Sequence, residues 1–136
     1  EYGNYNADMT RCVPVSGRFT QRQKDVYNAV LHVKNEAQKM LRPGNVIPEY
    51  HKEVGLVMQD QLLQLGLIDK TDIKNQDPAN PAYRKYFMHG TSHHLGLDVH
   101  DVGNIYRKME EGMVFTCEPG IYIPEENRVS VLRTTW

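Results

Sequence analysis

The chain has 136 residues, of which 40% are hydrophobic and 24% charged, with a formal net charge of -1 at pH 7. That length allows one domain with a real core, and the composition is that of an ordinary soluble globular protein. The near-zero charge argues against nucleic-acid binding, which needs a basic surface, and no apolar run is long enough to cross a bilayer.

Residues 9–15 read as a strand, because Thr10, Cys12, Val13 and Val15 are good strand residues and Pro14 fits an edge or a bulge. Ser16-Gly17 marks a turn. Thr20-Gln21-Arg22-Gln23 matches a capping box, in which the Thr20 hydroxyl caps and Gln23 reaches back. The helix it opens carries Val26, Val30, Val33, Ala37 and Met40 near helical spacing and stops at Arg42-Pro43-Gly44. A second helix is expected from near Pro48, through Val54, Met58 and Leu62, to Gly66. Residues 69–82 are polar, contain Pro78 and Pro81, and read as a loop. Residues 87–99 and 113–123 read as strands or strand-like segments interrupted by glycine. The order strand, helix, helix, loop, strands favours an α+β domain over a doubly wound one. There is no internal repeat and no low-complexity tract. The two cysteines, Cys12 and Cys117, sit in otherwise apolar stretches. They read as free, buried thiols, which fits a cytoplasmic protein.

Four of the six histidines lie in the run His89-Gly90-Thr91-Ser92-His93-His94-Leu95-Gly96-Leu97-Asp98-Val99-His100-Asp101. Imidazole is the commonest protein metal ligand and the usual proton carrier near neutral pH. One histidine in such a run would be an ordinary polar loop residue; four with Asp98 and Asp101 are not explained by packing. Gly90 and Gly96 disfavour a helix, so the segment is expected to be extended. Adjacent His93 and His94 then point to opposite faces, and only one can serve a site. His100 would fall on the face away from His93 unless a bulge or kink at Gly96 returns it. Glu118 ends an apolar strand and is fixed by Pro119-Gly120, a rigid placement for a ligand. Asp8 precedes the first strand. Taken singly, Glu118 reads as a strand-end glutamate facing water and Asp8 as a turn aspartate bonding its own backbone. Carboxylates plus one imidazole form a mainly oxygen-donor set, suited to Mn²⁺ or another hard divalent ion. A pair of such ions activates water and polarises a carbonyl. The cysteines lack zinc-finger spacing.

The histidine run, Glu118-Pro119-Gly120-Ile121-Tyr122, and Asn6-Ala7-Asp8-Met9-Thr10-Arg11 with Pro14-Val15-Ser16-Gly17-Arg18-Phe19-Thr20 together resemble the three motifs of the Xaa-Pro aminopeptidase (aminopeptidase P) and prolidase family, in order. The resemblance implies the "pita-bread" α+β fold, a curved, mainly antiparallel sheet backed by helices. It implies removal of the N-terminal residue from peptides with proline second, using two divalent ions, typically manganese. By motif position, Asp8 bridges the two metals, His93 binds one, and Glu118 is a ligand near the catalytic water. His89 and His100 hold substrate and stabilise the tetrahedral intermediate, and His94 is a neighbour. The Thr-Ser-His-His version is more similar to bacterial aminopeptidase P than to prolidase, which cleaves only dipeptides. Substrates are then proline-containing peptides. A homo-oligomer of the full-length protein is left open, as is a domain of the same fold that has lost its metals and binds peptides or proteins.

The family uses five metal ligands, and this chain shows three. The first aspartate is expected upstream of Glu1. The last glutamate is expected in a Gly-Ile-Arg-Ile-Glu-Asp-Asp strand, where residues 128–136 instead read Arg-Val-Ser-Val-Leu-Arg-Thr-Thr-Trp. One permitted codon choice for residues 127–136, read from its third nucleotide, encodes Pro-Gly-Ile-Arg-Ile-Glu-Asp-Asp-Val. The tail is therefore expected to be a frameshifted reading of that strand, and residues 1–136 an incomplete catalytic domain. Such a chain is expected to bind metal weakly, hydrolyse little, and expose core surface.

Overall fold

A computed structural model describes residues 1–124. The expectation for the tail, residues 128–136, lies outside them. The element order is α1 (Gln21–Met40), α2 (Ile47–Gln64), α3 (Lys70–Lys74) and a 3₁₀ turn (Ala82–Lys85).

Helix α1 starts as the sequence dictates. Thr20 stays extended, its hydroxyl accepts from Gln23 N, and the Gln23 side chain accepts from Thr20 N. Ala29, Val33 and Ala37 form its buried stripe. Helix α2 carries Pro48 in its first turn, where a missing N–H costs nothing. It ends in a Schellman motif: Gly66 takes φ +67°, Gly66 N donates to Leu63 O, and Leu67 N donates to Leu62 O. Tyr50, Val54, Met58 and Leu62 are fully or almost fully buried along its inner face, against α1. Gly55 is required there, because a Cβ would collide with the Tyr83 ring.

Two expectations need correcting. Residues 69–82 are not all loop: Asp69 caps α3, accepting from Thr71 N and Asp72 N, while the Asp72 carboxylate accepts from Asp69 N. The sheet is also not formed among the described residues, which hold only isolated bridges. Residues 9–15 have no strand partner among the described residues, and Met9, Val13 and Val15 are 75%, 80% and 108% exposed. Residues 87–99 and 113–123 pair only over a short central stretch. There Leu95 N donates to Val114 O, Thr116 N to His93 O and Glu118 N to Thr91 O, at 3.2, 3.0 and 2.7 Å, in one antiparallel register with a bridge between His94 and Phe115. Strands, unlike helices, need neighbours to satisfy their backbone groups. The paired stretch packs on the helices through Phe87, Cys117 and Ile121.

Candidate metal centre

The antiparallel register decides which side chains meet. His93 faces Thr116 and lies diagonal to Glu118 on one face, while His94 and Phe115 share the other, their rings 4.6 Å apart. His93 Nε2 lies 2.9 Å from Glu118 Oε1 and 3.5 Å from Asp8 Oδ2. One ligand atom from each of the three residues lies within 4.8 Å of the others. Asp8 is held by its neighbour Asn6, whose N–H donates to Gly96 O at 2.7 Å and whose Nδ2 donates to Leu97 O at 2.6 Å.

The imidazole is oriented as a ligand would need to be. His93 Nδ1 lies 2.8 Å from the His94 carbonyl oxygen, which can only accept, so Nδ1 carries the proton. Nε2 of the neutral ring then presents a lone pair. Although Nε2 and Glu118 Oε1 nearly touch, both are buried atoms without a hydrogen-bond partner. The contact lacks the alignment of an N–H···O bond. A lone pair held against carboxylate oxygens in a partly buried place repels them, and a shared cation removes the repulsion. The donor set, two carboxylates and one imidazole, suits a hard divalent ion.

The other histidines divide as follows. Gly96 N donates to Asp98 O, and Asp101 N donates back to His94 O. This folds the chain at Gly96 and brings the His100 ring onto His93, at 4.1 Å and 29° between planes. The kink that the spacing required is present. A Cβ at Gly96 would strike the Asp101 carboxylate. His89 sits beside the cluster and outside it. Its Nδ1 donates to Gly90 O at 2.8 Å, so its Nε2 accepts from the Tyr122 hydroxyl at 2.7 Å. Burial, then the nearby Glu118 charge, push the Tyr122 phenol up. His94 is not part of the ligand group; its Nε2 is buried without a hydrogen-bond partner.

Sequence reading missed the support behind the cluster. His51 on α2 lies 2.8 Å from the Thr91 hydroxyl, and Tyr50 contacts both Ser92 and Cys117, at 3.3 and 3.7 Å. Burial raises the Tyr50 hydroxyl and the Cys117 thiol and lowers His51. Both cysteines are free and partly buried, and Cys117 donates to Lys34 O on α1. Each of these residues falls at an unremarkable helix or strand position, so only the sequence's pairing in space reveals it. Asp8 and Glu118 open into a cleft of about 1000 Å³, walled by Arg11, Phe19, Tyr27 and Phe115.

Residues 1–134 match the model of metallopeptidase family M24. The chain is 45% identical over 134 residues to an Xaa-Pro aminopeptidase of Escherichia coli, covering 95% of this chain and 30% of the relative. It is 37% identical to human Xaa-Pro aminopeptidase 3, covering 91% of this chain and 24% of the relative. Among solved structures it is similar to a zinc-substituted E. coli aminopeptidase P in complex with product, with TM-score 0.78 and 44% identity, covering 90% of this chain and 28% of that one. It is also similar to Pseudomonas aeruginosa aminopeptidase PepP, with TM-score 0.79 and 38% identity, covering 91% of this chain and 29% of that one. The chain belongs to metallopeptidase family M24, whose chemistry uses divalent metal ions. It spans about 30% of the length of the E. coli relative. Among the described residues, no helix is long and apolar enough to cross a membrane.

Proposed function

We propose that this chain is part of the catalytic domain of a cytoplasmic Xaa-Pro aminopeptidase, which releases the N-terminal residue from peptides with proline in second position. The observation that carries the reading is the meeting of Asp8, His93 and Glu118, with His93 Nε2 bare and aimed at the carboxylates. The names of the relatives supply the substrate class.

Asp8, His93 and Glu118 would hold the ions, most simply Mn²⁺ for so oxygen-rich a set. When bound, such ions lower the pKa of water and polarise a carbonyl. The rest is done by this chain's side chains. The Glu118 carboxylate would take the proton of the attacking water and pass it to the departing proline nitrogen as the peptide bond breaks. His100, stacked on the His93 ring, and His89, hydrogen-bonded to the Tyr122 hydroxyl, would hold the peptide and stabilise the developing oxyanion. The cleft beside Asp8 and Glu118 accepts the rest of the peptide. A complete pita-bread sheet, and the frameshift origin of residues 128–136, belong to the same proposal.

With three ligands of an expected five, the chain should bind Mn²⁺ weakly and hydrolyse peptides poorly. Glu118→Gln should weaken Mn²⁺ binding a further tenfold or more, about 1.4 kcal/mol. In metal-free protein the same change should leave the melting midpoint unchanged or raise it, because it relieves the contact with His93. Titration calorimetry and thermal melts read both. Two tightly held ions would refute the weak-site expectation, and unchanged binding in Glu118→Gln would remove Glu118 from the site. On the full-length protein, cleavage of longer Xaa-Pro peptides as well as dipeptides separates an aminopeptidase from the alternative, prolidase.

A further inference from the structure

Two consecutive residues of α2 meet two consecutive residues of the histidine segment. His51 Nδ1 lies 2.8 Å from Thr91 Oγ1, and Ser92 Oγ donates to the Tyr50 hydroxyl at 3.3 Å. Neighbours in an extended segment project to opposite faces, so α2 grips this one on both sides. Thr91 is fully buried, and its carbonyl accepts from Glu118 N at 2.7 Å. Two residues on, His93 N donates to the Thr116 hydroxyl at 3.1 Å. The hydrogen bond of His51 therefore reaches both ligands through one residue.

Packing alone does not call for a histidine at this position. The His51 ring stands edge-on to Phe87 and Tyr83, with centroids 5.6 and 6.3 Å away, surroundings that an aliphatic side chain would fill without desolvating a polar ring. What the imidazole adds is a directed bond to a hydroxyl with no other partner among the described residues. We propose that His51 is a positioning residue, which through Thr91 fixes the rotation of residues 91–95 about their own axis and so the point where His93 Nε2 and Glu118 Oε1 converge. Metal ligands tolerate errors of only about 0.5 Å or 10–20°, so loosening this one contact should spoil the site without unfolding the helices. The assignment rests on the metal site proposed above and adds a residue outside it.

Three single variants of the 136-residue chain, and the double variant of the first two, test it. His51→Leu and Thr91→Val each remove the bond at similar volume, and His51→Asn keeps a polar atom near the place of Nδ1. The first readout is amide hydrogen exchange in metal-free protein. His51→Leu and Thr91→Val should speed exchange of the Glu118 amide about tenfold or more while the amides of α1 keep their rates. His51→Asn should restore most of the protection. The second readout is Mn²⁺ affinity, expected to fall roughly tenfold in either variant, as when an outer partner of a ligand is lost. The double variant should be no worse than either single one, as expected of one shared interaction. Unchanged Glu118 exchange in His51→Leu, or additive losses in the double variant, overturns the assignment. Uniformly faster exchange, α1 included, also overturns it, since His51 would then only support the fold. If the parent chain binds no Mn²⁺, the metal reading fails, while the exchange experiment still decides whether His51 holds the Thr91–Glu118 contact.

Discussion

The helical part and the site-bearing part of this chain are built from equally apolar sequence but reach different degrees of order. Helices α1 and α2 close most of their own backbone hydrogen bonds, α1 starts at its own capping box and α2 ends in its own glycine cap, and they bury Val33, Val54, Met58 and Leu62 completely between them and their neighbours. Residues 1–19 and 88–124 have comparable hydrophobic residues but leave Met9, Val13, Val15 and Val102 at least 75% exposed. The difference is one of locality. A helix needs four residues of its own chain to satisfy each amide, whereas a strand needs a neighbour on each side. Asp8, His93 and Glu118 nonetheless converge, because a few contacts to the helices hold the paired stretch in place.

Phe87 is the sharpest way to break this division. It is fully buried where the parts join and packs edge-on against both His51 and His89. Phe87→Ala should cost about 3–5 kcal/mol in denaturant unfolding and should abolish protection of the Thr116 and Glu118 amides together with that of α2. If the helices stayed intact while only the site melted, the two parts would be independent. Thr20→Ala tests the opposite end. Loss of the cap should cost about 1 kcal/mol, fray the first turn of α1 in circular dichroism, and leave Mn²⁺ binding unchanged. A smaller effect is expected from pH. Burial, and then the Arg84 and His89 charges, lower the pKa of His51 below its ordinary 6.5. The unfolded chain then binds this proton more readily, so His51 contributes its full share of stability above about pH 6.5 and loses it as pH falls from there through the lowered value. His51→Asn should flatten that part of the melting-temperature profile; an unchanged slope would show that His51 is as easily protonated in the fold as out of it.

The local signals were legible and the non-local ones were not. The Thr20–Gln23 box and the glycine at position 66 specify helix ends with residues a few positions apart, and the structure uses both. The α3 box was readable too, but Asp72 replaced the usual Glu or Gln among polar residues and passed as loop. For residues 9–15, strand-favouring residues identified a strand by composition, yet composition cannot supply a partner. In the site, spacing alone placed His93 and His94 on opposite faces and required the Gly96 kink, and both are seen. Spacing left Asp8 and Glu118 as ordinary surface carboxylates, and only the motif resemblance brought them to His93. Nothing local marks His51, because its role depends on Thr91, which lies far off in sequence and close in space.

Asn6 has a consequence for how the centre assembles. Its side chain bonds Leu97 O across a sequence separation of 91 residues, so the long loop is already closed before any cation arrives. Asp8 follows only two residues later. The local concentration of its carboxylate at the other ligands is therefore set by that short tether, of millimolar order or higher, and not by diffusion of a free chain end. In the proposed site, an ion approaching His93 and Glu118 would find the Asp8 carboxylate waiting, and the entropy of gathering distant segments would have been met by the Asn6 amide.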